Sequence, residues 1–262
     1  MNYIKLALLC APLLFCTQLS AQNLEFDKDI FEKWVNVRAG NGKKAVLWYC
    51  FGEVYAYPEG KLVAKMQGVD LATQIPVTED SVIQLNRKLF LYLDKDKETI
   101  LDSLNGMPVT HIKYPYQVIE YVHKGNELVT YVTQGSGARL ARLGPTSTAK
   151  VKKVGNNLVF SFPAFMNFQT AKGKYEAYEN FDFFYNPNAS KTVQKFQLTW
   201  WRYGELPPFL GSGKSVIQLV SHRVGDFEDL PEQLKTYIRT NASLWLEPPL
   251  SLEEIHRIQS NQ

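Results

Sequence analysis

The stretch Val46 to Tyr57, VLWYCFGEVYAY, is apolar on both of its faces. It is too aromatic and β-branched for a helix surface. It breaks at Pro58-Glu59-Gly60 and an apolar run resumes at Leu62 to Met66, which predicts a β-hairpin. In a strand, Leu47, Tyr49, Phe51, Glu53, Tyr55 and Tyr57 point one way, and Trp48, Cys50, Gly52, Val54 and Ala56 point the other. Water wets neither side cheaply. Such a strand belongs in a sheet covered twice, or in a barrel wall whose outer face is also covered.

The same reading extends along the chain. Asp27 or Asp29 caps a short helix through Arg38, with Ile30, Phe31, Trp34 and Val37 on one stripe, and Ala39-Gly40-Asn41-Gly42 ends it. Periodicity is lost from Gln67 to Gln74, and Ile75-Pro76 reads as a turn or edge segment. A second long strand spans Ser81 to Leu93, followed by the charged turn Asp94 to Lys97. Shorter strands follow at Val109 to Tyr114, Gln117 to His123 and Leu128 to Thr133, with Gly125-Asn126 as a hairpin turn. The weakly patterned Gly135 to Val154 reads as a mobile loop or the link between two halves. Strands resume at Leu158 to Phe162, Tyr175 to Tyr185, Val193 to Tyr203 and Ser215 to His222. Asp229 caps a helix with Pro231 in its first turn, and Ser251 starts another. The expected fold is mostly β: one antiparallel barrel or strongly curved sheet, with short N-terminal and C-terminal helices packed at its open side.

Residues 1–21 have the layout of a secretory signal peptide: Lys5, an apolar run from Leu6 to Cys16, and small residues up to Ala21. The run is too short to span a bilayer and no later segment is longer, so residues 22–262 are expected as a single exported domain, periplasmic or secreted. Of three cysteines only Cys50 lies beyond the signal, so stability rests on a core and not on a disulfide. With 45% apolar residues that core is within reach. A net charge of +3 over the full chain argues against a nucleic-acid surface.

Motifs for chemistry are weak. Leu210-Gly211-Ser212-Gly213-Lys214-Ser215 evokes a phosphate loop, but Pro208 stands at its first glycine and the residues after it read as strand. His111, His123, His222 and His256 have no partner at metal-ligand spacing, and no metal or cofactor is expected. Ser221, His222 and Asp226 make a triad on paper without a nucleophile elbow.

Several segments in order, Leu47-Trp48-Tyr49 with Gly52-Glu53-Val54-Tyr55, Leu91 to Asp94, Leu206 to Gly211, Leu219 to His222 and Phe227 to Pro231, resemble the bacterial and fungal family called domain of unknown function 1838. The resemblance spans about Trp34 to Pro249. It implies one family domain and brings no catalytic residue with it.

Charged residues on apolar strand faces are the better functional signal, because a lone buried charge must be paired, hydrogen-bonded or placed in a wet cavity. Glu53, Arg87, Asp182 and Arg202 are such residues. One reading pairs Glu53 with Arg87, or leaves both in water at strand ends. The other gathers Tyr49, Glu53, Tyr55, Arg87, Trp200 and Arg202 around a small apolar or aromatic ligand, with 14 Tyr, 15 Phe and 5 Trp available to line a cup. An enzyme on lipid-like or aromatic compounds is the alternative, with Glu53, Asp182 or His222 as acid or base.

Overall fold

The computed structural model describes residues 21–136, 139–170 and 173–260. The proposed signal peptide, residues 1–21, lies outside these but for its last residue. The hairpin is present: β2 (Val46–Tyr57) turns at Pro58 into β3 (Lys61–Thr78), and β4 (Ser81–Leu93) follows antiparallel. Before them stand β1 (Gln22–Leu24) and α1 (Lys28–Ala39); after them come a small hairpin, β5 (Ser103–Leu104) and β6 (Met107–Pro108), then β7 (Ile112–Lys124), β8 (Glu127–Ser136) and β9 (Arg139–Thr146). The second half holds β10 (Lys150–Val154), β11 (Asn157–Thr170), β12 (Gly173–Tyr185), the single turn α2 (Thr192–Lys195), β13 (Phe196–Glu205), β14 (Lys214–Val224), α3 (Glu232–Asn241) and α4 (Leu252–Ser260).

All strands but β5 and β6 form one antiparallel 12-stranded sheet in the order β1-β10-β11-β12-β13-β14-β2-β3-β4-β7-β8-β9, curled into a half-barrel. Two meanders are joined where β14 pairs with β2. The curl follows from the connectivity. β9 and β10 lie near opposite edges of the sheet, yet only residues 147–149 separate them, and so few residues reach on the order of 14 Å. A flat sheet of this width cannot meet that distance. The N-terminal arm bridges the remaining gap: β1 pairs with β10, while Phe26 N–H donates to Asn126 O at 3.2 Å and His123 Nε2 contacts Phe26 O at 3.0 Å.

Glycine permits the tightest approach. A Cβ at Gly52 would lie 1.9 Å from Gln218 O, and one at Gly68 2.1 Å from Leu89 O, so these bends exclude any side chain.

The inner face is largely covered and the outer face in part: Phe51, Phe165, Phe184, Trp201 and Val220 stay exposed on it. Inside the curl lies α1, capped by Asp27 Oδ1, which accepts from Ile30 N–H at 2.9 Å. Its Ile30, Phe31, Trp34 and Val37 pack on Trp48, Tyr121, Phe160 and Phe183. Arg223 on β14 donates to the Asn36 and Val37 carbonyls at the helix's C-terminal end and stacks 3.8 Å from the Phe196 ring, a favourable place for a cation. The other inner end is filled by Leu206, Phe209 and Leu210 against Val54, Met66 and Ile217. Outside, Leu234 and Ile238 of α3 pack on Val69 and Leu89, and Ile255 of α4 packs on Leu85 and Tyr116.

Several expectations change. Val193 to Lys195, expected in a strand, lie in the turn α2, and the strands expected at Val109 to Tyr114 and Gln117 to His123 are one strand, β7. The C-terminal helices cover the outer face of the sheet and not its open side. Residues 67–74 are no break: β3 runs through them, its alternation obscured because Gln67 and Asp70, on opposite faces, are both buried. Pro76 does sit at an edge, since β2 flanks β3 only as far as Ala72, so its missing N–H costs no ladder bond there. Gly135 to Val154 is not one loop; it carries β9 and β10. Finally, α3 starts after Pro231, and the Asp229 carboxylate instead accepts from Gly225 and Asp226 N–H in the turn before it.

Candidate functional site

Between the Trp34 end and the Phe209 end of the inner face the packing turns polar. Asp70 on β3 is buried, its Oδ2 3.4 Å from Arg38 Nη2 of α1 and 3.9 Å from Lys88 Nζ of β4. Asn86 Nδ2 donates to Asp70 Oδ1 at 3.0 Å and lies 3.2 Å from Gln117 Oε1. Across the curl, Glu179 on β12 accepts from Trp200 Nε1–H at 3.2 Å and pairs with Arg202 Nε at 3.6 Å. Arg202 Nη2 also donates to the Tyr175 hydroxyl at 3.0 Å. Half-buried Phe90, Phe162, Phe181 and Trp200 stand around these groups, and Tyr114, the cross-strand partner of Lys88, is 37% exposed. The result is a basin, a charged, partly exposed patch on the concave inner face flanked by aromatic side chains.

The patch is under electrostatic tension. Burial raises the Glu179 carboxyl above its ordinary range, against the opposing pull of Trp200 and Arg202. Lys88 is pushed below the usual lysine value, chiefly by burial, while Asp70 acts to raise it and Arg38 to lower it. Burial also pushes the Tyr92 hydroxyl and the Cys50 thiol each up to about 12, so Cys50 is a neutral thiol and no nucleophile. Perturbed groups of both signs gathered on one face make this patch the candidate functional site.

A pocket lies on the outer face, between the β2–β14 pair and the start of α3. Its volume is about 720 Å³, and Tyr49, Phe51, Glu53, Lys65, Glu98 and Gln218 line it. The Tyr55 hydroxyl donates to Glu53, Lys65 pairs with Glu98, and His222 packs edge-on against Tyr49 at 5.6 Å. Burial lowers His222 and raises Tyr49 from their ordinary values.

The residues singled out from the sequence therefore divide by face. Trp200 and Arg202 meet in the inner basin; Tyr49, Glu53, Tyr55 and His222 meet at the outer groove. Arg87 and Asp182 join neither. Arg87 also points outward, but under the C-terminal arm: its guanidinium donates to Pro115 O at 3.0 Å, Leu244 O at 3.2 Å and Glu247 O at 2.8 Å, and pairs with Glu254. It makes no pair with Glu53, whose carboxylate is engaged by Tyr55 on the other side of α3. Asp182 accepts from Ser161 Oγ and Asn180 Nδ2 on the outer face. Missed were Asp70, Lys88 and Glu179. Each is a charge inside a long strand, as Glu53 is, but without its neighbours' faces assigned the signal was mute.

The description "protein of unknown function (DUF1838)" matches residues 42–262. The chain belongs to that family. The match takes in every DUF1838 strand from β2 to β14 and every basin residue except Arg38, which α1 supplies from before it. No curated protein and no solved structure matches the chain.

Proposed function

We propose that the chain is an exported binding protein, periplasmic or secreted, whose inner basin holds a small ring-bearing molecule. The observation that carries this is the Glu179, Arg202, Lys88 and Asp70 cluster beneath Trp200 and Phe181, on a face that is apolar at both ends. Charges are expensive there without a purpose, since an all-apolar filling packs as well or better. Apolar walls supply affinity and a few convergent polar groups supply orientation, the usual division of labour in a ligand pocket. In native mass spectrometry the purified protein should retain a small molecule, or its unfolding temperature should rise with members of a panel of aromatic alcohols, ketones and acids. A protein that carries nothing and responds to none of them contradicts the reading.

One observation favours a catalytic second reading. Burial raises the Glu179 carboxyl from its ordinary value, the direction in which a general acid of an isomerase, cyclase or hydrolase is tuned. For any substrate found, Glu179→Gln would then lower kcat by roughly 10²-fold or more, and unchanged turnover would exclude that role.

A further inference from the structure

The charges of the basin do not balance. Among the described residues, Arg38, Lys88 and Arg202 bring three cations to it, and Asp70 and Glu179 bring two carboxylates. Asp70 is already committed, with Arg38 at 3.4 Å and Asn86 at 3.0 Å, which leaves Lys88 at 3.9 Å, too far for a hydrogen bond. Glu179 serves Trp200 as well as Arg202. Cations withdrawn from water call for a partner each, and here one partner is missing.

We propose that the missing partner is part of the ligand: a singly charged carboxylate, carried on an aromatic or alicyclic ring. The proposal rests on the basin being the binding site and specifies what it takes. The carboxylate oxygens answer Lys88 Nζ and the Nη1 side of the Arg202 guanidinium, whose contact there, Glu205 O at 3.5 Å, is long. The ring lies against Trp200 and Phe181, whose centroids are 6.0 Å apart. Lys88 and Arg202 belong together here because the fields of both reach Glu179, and because Tyr114 stands opposite Lys88 in the register and is in turn under the influence of Arg202. A surplus of one charge selects a monoanion over a phosphate dianion.

The test uses the full chain, with 2-naphthoate, 2-naphthamide and 2-naphthyl phosphate as probes in isothermal titration calorimetry at neutral pH and fixed salt. Naphthoate should bind about tenfold or more tightly than the amide. Lys88→Met and Arg202→Gln should each remove about a factor of ten from naphthoate binding and weaken the amide, which loses only a neutral hydrogen bond, by clearly less. Thermal unfolding checks that both variants fold, and Lys88→Met should melt no lower than the parent, because it removes an underpaired cation. Equal affinity for acid and amide overturns the carboxylate while the ring-binding basin stands. Tighter binding of the phosphate overturns the monoanion. Naphthoate affinity that survives in both variants places the anion elsewhere and overturns the proposal, and no binding by any of the three overturns it together with the basin reading.

Discussion

A charged side chain on the inner face of this sheet is answered by a specific neighbour or remains costly, and each case differs. Arg223 is answered: burial lowers its guanidinium to about 9, still protonated at neutral pH, and the carbonyls ending α1 take its hydrogens. Glu179 is answered only in part, and this has a measurable consequence. Its folded value is raised above the ordinary 4.5, so between 4.5 and that raised value the native state holds more proton than the unfolded chain does. The contribution to stability is complete below the ordinary value and is lost as pH rises through the folded one. In urea titrations across this window, the parent should lose stability relative to Glu179→Gln as pH increases; parallel curves would show that Glu179 is not desolvated. At this scale the sequence was half legible. The rule that a charge among apolar neighbours needs an answer picks out Arg202 and Glu53, but also Arg87, whose answer is structural. It passes over Lys88 and Glu179, because which neighbours count depends on faces that only the pairing reveals.

Elements divide the labour between the two faces. α1 is a plug: Trp34 meets Phe162 at 4.2 Å and Phe183 at 5.0 Å, so the helix closes one end of the curl and leaves the basin beyond it. Its start at one of two aspartates, of which Asp27 is the cap, and its end within Ala39 to Gly42 were readable from cap chemistry, which is local. Where it packs was not. The C-terminal arm is a strap whose main polar tie is Arg87, which touches the strand carbonyl of Pro115, two carbonyls of the segment after α3, and Glu254 of α4. Replacing Arg87 with Met leaves these acceptors and the carboxylate without their donor, and should cost about 3 kcal/mol in the denaturant midpoint. It should also expose the arm to protease before the sheet. A loss below about 0.5 kcal/mol, the range of surface changes, would mean the strap is held by Ile255 and Leu252 packing instead.

At the scale of the molecule, the inner face of the sheet is buried by its own curl with α1, and the outer face by α3 and α4 over β2–β4 and β7, while Phe165, Phe184, Trp201 and Val220 stay exposed on the rest. The strand pattern made a mostly β, strongly curved sheet legible, since alternation and turn residues are local signals. Strand order was not, because the β14–β2 pairing joins residues far apart in sequence, and no local signal encodes such a partner. Without that order, Glu179 and Lys88 cannot be placed across the same hollow. The central claim is that this hollow, and not the groove outside it, is where a ligand sits. Adjacent tryptophans decide it: Trp200 faces in, bonded to Glu179, while Trp201 faces out, 4.7 Å from Tyr178. With 2-naphthoate titrated into ¹⁵N-labelled protein, the indole N–H resonance of Trp200 should move saturably while that of Trp201 stays in place. Movement of Trp201, or of the backbone amides of Tyr49 and Phe51, with Trp200 unmoved would contradict the account.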